Sequence, residues 1–311
     1  MEKQTHTIAY NHQDSFKCDL CGHQHSTPVF VGKDFMHGLA DQCPLVACAS
    51  CGLITLYPQP ENLADFYPAQ SYHAYKSQHN SSDDLARSVN RSLMKRADWL
   101  AQQISADQAQ ISLLDLGCGE GGFLRATLLS EFGNAKRIGI DFSPQACFAS
   151  HIPGQIDTGV SALDRLPFPD HSFEIVTMWH VLEHVRSPQQ VLLEIKRLLK
   201  PGGTLMLACP VVDSFEAQFF RRYWAGYDVP RHLHTFSRST LRALLQNAGF
   251  QGEEVRGLVA GWHSIKTSWQ FLLGFGSYQT TLAKVLAWPI FIIERLVFHS
   301  PSVAVFAAKS P

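Results

Sequence analysis

Leu113-Leu114-Asp115-Leu116-Gly117-Cys118-Gly119-Glu120-Gly121-Gly122 is the stretch whose reading decides the fold. Its apolar start reads as a buried strand, and the strand ends abruptly in glycine. A turn this rich in glycine lets the backbone take left-handed conformations and lets a ligand approach closely. The residues after it, GGFLRATLLSEF, are spaced as a helix, so the turn opens at a helix N-terminus. Strand, glycine turn and helix in this order form the first unit of a doubly wound α/β sheet, with a nucleotide-like ligand over the strand end.

Gly117, Gly119 and Gly122 satisfy the G-x-G-x-x-G spacing of dinucleotide folds, but the acids in the loop point elsewhere. Asp115 lies two residues before the first glycine, where it can face an ammonium group. Glu120 lies inside the loop, where it would repel a pyrophosphate. A cationic, phosphate-free cofactor, S-adenosylmethionine, suits such a loop. The next strand ends in Gly139-Ile140-Asp141-Phe142-Ser143, and a carboxylate there can accept both ribose hydroxyls. The cofactor contacts expected from these two turns are Asp115, Gly117, Cys118, Gly119, Gly121, Asp141 and Phe142.

Outward from the loop the strand–helix alternation continues. SFEIVTMW reads as a strand, SPQQVLLEIKRLLK as a helix with proline near its start and a basic last turn, and TLMLACP as a strand after Pro201-Gly202-Gly203. This predicts a Rossmann-like α/β domain over residues 109–311, with a parallel sheet covered on both faces. Beyond Pro210 the pattern breaks into a polar-aromatic segment at 213–236. A helix stopped by Gly249, a strand in GEEVRGLVA, a very apolar helical insert at 263–298 and a closing strand in SVAVFAAK follow. Upstream, residues 83–105 space Leu85, Val89, Leu93, Leu100 and Ile104 as one helical face, a cover helix within the linker 79–108.

Residues 1–78 read as a separate small domain. Cys18-Asp-Leu-Cys21-Gly22 and Cys48-Ala-Ser-Cys51-Gly52 are two C-x-x-C-G knuckles. A two-residue gap lets both sulfurs of one turn point at one ion, and two such turns complete a closed four-thiolate zinc site. A closed site is structural, and a ribbon this small depends on its metal to fold.

The 311 residues carry 26 Lys plus Arg and 27 Asp plus Glu, so the chain as a whole is no basic polyanion binder. Residues 214–311 nevertheless hold 10 basic and 5 acidic side chains, against 8 and 10 in residues 1–100. An anionic acceptor or surface would meet the C-terminal third, whereas RNA gripped by the ribbon is disfavoured. The first residues, MEKQTHTIAYNHQDSF, hold no export-type apolar core, and the longest apolar run, Val285–Ile293, is 9 residues. The expected location is cytoplasmic, with peripheral contact to the inner face of a membrane through 263–298, whose Trp288, Lys284 and Arg295 suit an interfacial helix.

Residues 111–210 resemble class I S-adenosylmethionine-dependent methyltransferases in DLGCGEGGFL, GIDFS, LPFPDHSFEIV, VLEHV and LLKPGGTLML, taken in order and spacing. The resemblance implies that residues after the third strand, Ala162 and Leu163, flank the adenine, with Trp179 at the next strand end. CDLCG and the PLVACASCGLITLYPQPENLADFYPAQSY stretch are similar to the zinc-binding segment of bacterial sugar C-methyltransferases. WAGYDVPRHLHTFSRSTLRALLQNAGF is similar to a segment of methyltransferases from polysaccharide and natural-product pathways. The resemblance implies methyl transfer to a nucleotide- or lipid-linked sugar. Its alternatives are a quinone or lipid acceptor at the membrane surface, RNA, and a cofactor-holding module without turnover.

Attack on the methyl group by a hydroxyl needs a base poised near neutrality, for which histidine is the first candidate. His232 is expected as that base, with His234 and then His180 behind it. Arg231 can fork onto a phosphate or carboxylate, and Tyr223 and Tyr227 can stack on the acceptor.

Overall fold

A computed structural model of the chain describes residues 15–67, 89, 91–102, 111–130, 132, 135–255, 262–274, 280–293 and 303–310. The first part holds β1 (Ser26–Gly32), β2 (Cys43–Cys48) and β3 (Ile54–Leu56), followed by helix α1 (Arg91–Gln102). Leu85 and Ile104, the ends of the predicted cover-helix face, lie outside the described residues. The alternating part runs β4 (Ser112–Leu116), α2 (Gly122–Leu128), β5 (Lys136–Asp141), α3 (Pro144–Ser150), β6 (Asp157–Val160), β7 (Phe173–Trp179), α4 (Pro188–Leu198) and β8 (Leu199–Pro210). Then follow α5 (Phe215–Phe220), β9 (His234–Thr235), α6 (Arg238–Asn247), β10 (Gln251–Val255), α7 (Trp262–Leu273), α8 (Thr280–Ile293) and β11 (Val303–Lys309).

Seven strands form the main sheet in the order β10-β11-β8-β7-β4-β5-β6. The five from β8 to β6 are parallel, and β11 lies antiparallel between β8 and β10. Leu113, Leu114, Ile175, Val176, Leu205 and Leu207 are fully buried, as expected of a parallel sheet with both faces covered. Helices begin where serine side chains accept backbone N–H groups. Ser143 caps α3 and Ser187 caps α4, each ahead of a proline in the first turn. Strand order reverses beside β4, and ligands of open α/β sheets bind in the crevice at that point.

The small sheet has the order β1-β2-β3-β9, and its last strand comes from the 213–236 segment. Thr55 pairs with His234 and Ile54 with Thr235, while the Leu56 N–H donates to the Leu233 carbonyl. The N-terminal part is also fastened to α4. Asp19, inside the first cysteine knuckle, accepts from the Ser187 hydroxyl at 2.5 Å and the Gln189 N–H at 2.8 Å. Arg186 reaches the carbonyls of Pro60 and Glu61, each at 2.7 Å.

Helices α7 and α8 pack on each other and bury Ile265, Ala283, Ala287 and Ile290. Pro289 sits inside α8. No helix among the described residues is long and apolar enough to cross a membrane.

Candidate functional site

The loop after β4 turns through left-handed glycines, with φ of 68° at Gly117, 52° at Gly119 and 77° at Gly121. A Cβ on Gly117 would lie 2.3 Å from Val181 Cγ2, so backbone angle and space both require glycine there. Asp141, at the end of β5, accepts from the Gly119 N–H and the Ser143 N–H, both at 2.9 Å, which fixes its carboxylate against the loop. Burial raises its pKa, so the charged form gains from any donor a ligand brings.

These turns line a cavity of about 900 Å³. Its cofactor end holds Gly117, Gly119, Asp141, Phe142, Ser161, Ala162, Leu163, Asp164 and Trp179. Its other walls expose mostly apolar surface, from Met36, Leu63, Ala64, Tyr67, Val181, Val185 and Val191, with polar His37, Arg186, Ser187, Gln190 and Asp228 among them. His180, Glu183, His184, Arg231 and His232 also line it.

Asp115, Cys118 and Gly121 do not line the cavity. Asp115 is buried and accepts from the Thr177 hydroxyl at 2.6 Å, and burial pushes its pKa up to about 7. The Cys118 thiol points to Ser150 at 3.8 Å, and Gly121 caps α2.

The histidines separate. His232 lines the cavity, and its Nδ1 donates to the Gly226 carbonyl at 2.8 Å. A carbonyl only accepts, so Nδ1 carries a hydrogen, and in the neutral ring the lone pair lies on Nε2. His180 lines the cavity at the end of β7 in a left-handed conformation, φ 59°, which a non-glycine residue adopts at a cost of about 1–3 kcal/mol. His234 is buried in β9 instead, between Thr55 Oγ1 at 3.3 Å and the Arg186 carbonyl at 3.1 Å, away from the cavity. Pairing of β9 with β3 turns it into the sheet.

Of the three expected acceptor contacts, Arg231 lines the cavity and Tyr223 and Tyr227 do not. Tyr227 is buried edge-on against Phe30 and Trp224, and burial pushes its pKa up to about 12. Tyr223 tilts against Phe35. Arg231 reaches the cavity wall with its guanidinium already taken by Asp34, 2.9 Å from Nη2, and by Asp228, 2.5 Å from Nη2 and 2.9 Å from Nε. Two carboxylates around one fork leave no net charge to offer a phosphate.

Two further ionisable groups, Glu183 and His184, line the cavity without having stood out in the sequence. Glu183 is 1% exposed, and neither carboxylate oxygen makes a hydrogen bond; His180 Nδ1 is 3.5 Å from Oε1. Burial works against its charge, but His180 and the nearby His184 and His232 hold its pKa down at about 2. His184 Nδ1 lies 2.8 Å from the Tyr67 hydroxyl and 3.1 Å from the Arg231 carbonyl, with its ring edge-on to His232 at 4.5 Å. Glu183, His184 and His232 each bring a polar atom within 4.8 Å of the others. The run VLEHV carried the signal, because it places an acid and a base directly after a cofactor strand.

The sulfurs of Cys18, Cys21, Cys48 and Cys51 also lie within 4.8 Å of one another, with 3.5 Å from Cys18 to Cys51 and from Cys21 to Cys48. Tetrahedral thiolates on zinc stand about 3.8 Å apart, so the donor set fits that ion. None of the four is in a disulfide. Gly22 and Gly52 take matching φ values of 71° and 75° after the two knuckles.

A doubly wound sheet with this strand order, a glycine loop at its switch point and an acid at the next strand end define a class I methyltransferase. The chain belongs to the methyltransferase domain family, which it matches over residues 84–255, and its cofactor is S-adenosylmethionine. It is 28% identical over 173 residues to a Mycolicibacterium smegmatis protein assigned as an S-adenosylmethionine-dependent methyltransferase. That match covers 54% of this chain and 62% of the relative, so the chain spans less than two thirds of that protein. It is 30% identical over 176 residues to a ubiquinone biosynthesis O-methyltransferase of Xanthomonas oryzae pv. oryzae, covering 53% of this chain and 72% of the relative. The fold is shared with a solved Galdieria sulphuraria protein assigned as a sarcosine dimethylglycine methyltransferase, at TM-score 0.51 and 16% identity, over 71% of this chain and 91% of the other.

Proposed function

We propose that the protein methylates an oxygen of a small acceptor whose body is largely apolar, with His232 as the proton acceptor. The observation that carries this reading is the cluster of Glu183, His184 and His232 in the wall of the same cavity that holds the glycine loop and Asp141. S-adenosylmethionine supplies a methyl group on a good leaving group, which leaves the protein to align the acceptor and remove its proton. In the neutral ring, Nε2 of His232 is the nitrogen left to take that proton, and the buried carboxylate of Glu183, 3.5 Å from His180 Nδ1, stabilises the imidazolium that forms. Asp141 is suited to the ribose hydroxyls, and Ala162 and Leu163 to the adenine.

The cavity chemistry favours an apolar acceptor over the nucleotide- or lipid-linked sugar that the resemblance implies. A diphosphate needs free cationic donors. Arg231 is neutralised by Asp34 and Asp228, and Arg186 is tethered to Pro60 and Glu61. The Xanthomonas relative, named for ubiquinone O-methylation, is consistent with oxygen as the methylated atom. We further assign the four cysteines a structural zinc ion, on the fit of their sulfur spacing.

The test is a panel of hydroxylated aromatics and nucleotide sugars assayed for S-adenosylhomocysteine release. Turnover of the aromatics that falls about 10²–10⁴-fold in His232→Ala, with cofactor affinity retained, supports the reading. Turnover of sugars alone overturns the acceptor class, and unchanged turnover in the variant overturns the base.

A further inference from the structure

Helix α8 has two apolar faces. Ala283, Ala287 and Ile290 are buried against the protein, while Leu282, Val285, Trp288 and Ile293 stand 48%, 63%, 61% and 39% exposed. A helix on an aqueous surface carries polar residues on its outer side, and this one offers Thr281 and Lys284 amid apolar side chains. The end of α7 adds exposed Leu272 and Leu273. Among the described residues 262–293 there are two lysines and no acidic side chain.

The exposed end of α7 leads to the cavity. Phe271 stacks on Phe35 with centroids 5.2 Å apart, and the next residue, Met36, lines the cavity. Cations rim this aromatic seam. Lys33 lies over Phe35 at 4.9 Å, and Arg222 lies over Tyr223 at 5.0 Å. Lys33, Arg221 and Arg222 are all exposed. Apolar side chains flanked by lysine and arginine, with a tryptophan among them, match the chemistry of an anionic lipid interface, where apolar burial and headgroup attraction add.

We propose that the packed helices α7 and α8 seat the protein on an anionic phospholipid surface and set the Met36 side of the cavity beside the bilayer. The acceptor is then one carried in the lipid phase, a deepening that rests on the apolar acceptor proposed above. Docking itself needs neither acceptor nor turnover, so it can fail or succeed apart from that reading.

The experiment is flotation of the intact, zinc-replete protein with phosphatidylcholine vesicles, with and without phosphatidylglycerol, over a range of salt. The expected result is binding that requires the anionic lipid and weakens with salt. Val285→Ser combined with Trp288→Ser should weaken it at least ~10-fold, because each large side chain contributes about an order of magnitude when buried. The substituted positions are exposed, so calorimetric affinity for S-adenosylmethionine should stay unchanged and report intact folding. Lys284→Glu should lower the preference for anionic lipid without touching cofactor affinity. Absence of flotation, or equal flotation with both vesicle types, overturns the proposal. Sedimentation velocity supplies the rival outcome. A dimer that the double variant dissolves, in a protein that ignores vesicles, would make the occupant a second copy of the chain.

Discussion

Asp34 and Arg231 meet in a buried two-pronged ion pair, with 2.9 Å from Nη2 to Oδ1 and 3.2 Å from Nη1 to Oδ2. It joins the loop after β1 to the segment that leads into β9. The same carboxylate accepts the N–H groups of Met36, His37 and Leu39 at 3.0–3.1 Å, so it also shapes the loop that lines the cavity. Asp34→Ala removes all of these at once and leaves Arg231 with Asp228 and the Phe66 carbonyl. Arg231 keeps a carboxylate, so the expected loss is about 2–4 kcal/mol, mainly from backbone N–H groups left without their acceptor. Urea unfolding measures it, and a loss under about 1 kcal/mol would mean that water already solvates the pair.

Zinc removal should act on the N-terminal part first. The sulfur spacing calls for one zinc per chain, read by elemental analysis of protein purified without added metal. Chelation, or Cys21→Ser, should melt the knuckles and free Asp19 from the N-terminus of α4, where it accepts from Ser187 and Gln189. Since β3 and β9 share hydrogen bonds, hydrogen exchange at Leu56 and Thr235 should then quicken while β4 and β7 stay protected. Full protection after chelation, with no metal recovered, would count against the ion.

Local chemistry and long-range pairing were not equally visible in the sequence. The glycine loop, the acid ending β5 and the caps of α3 and α4 each lie within a run of about ten residues, so spacing alone exposes them. His232 and His234 are two positions apart, and nothing local says which meets the cavity. That is decided by Thr55, which pairs with His234 from the other end of the chain. Arg231 reads as a free phosphate fork until Asp34 is placed beside it, and Tyr227 reads as an acceptor platform until Phe30 covers it. Binary pattern predicts which face of an element is apolar, but not which distant element will use it.

Asp141→Ala should abolish useful affinity for S-adenosylmethionine, at least ~100-fold by calorimetry, because a charged acceptor is lost from the loop and the ligand together. The Gly119 and Ser143 N–H groups would also lose their partner. Gly117→Ala should do comparable damage by a different route, forcing a Cβ into Val181 at a φ of 68°. Near-native affinity in Asp141→Ala would remove its ribose role.

Stability should respond to pH with two opposing slopes from the site. Burial, helped by the neighbouring His232, pushes the His184 pKa down to about 4, below its unfolded value near 6.5. The unfolded chain then binds the extra proton, so this contribution is complete above about pH 6.5 and is lost as pH falls towards 4. His234, also lowered by burial, adds in the same direction. Asp115 works the other way. Burial raises it to about 7, so its favourable neutral form is complete below its unfolded pKa and is lost as pH rises from about 4 to 7. Glu183 and Asp228, each held at about 2, add stability that begins to fall near pH 4.5 and 3.8 and is lost towards pH 2, in the same direction as His184. Urea midpoints from pH 4 to 8 separate these contributions. The advantage of wild type over His184→Asn should grow between pH 4 and 6.5, and the advantage of Asp115→Asn over wild type should grow between pH 4 and 7. Curves that run parallel to wild type would mean that neither side chain changes its protonation on folding.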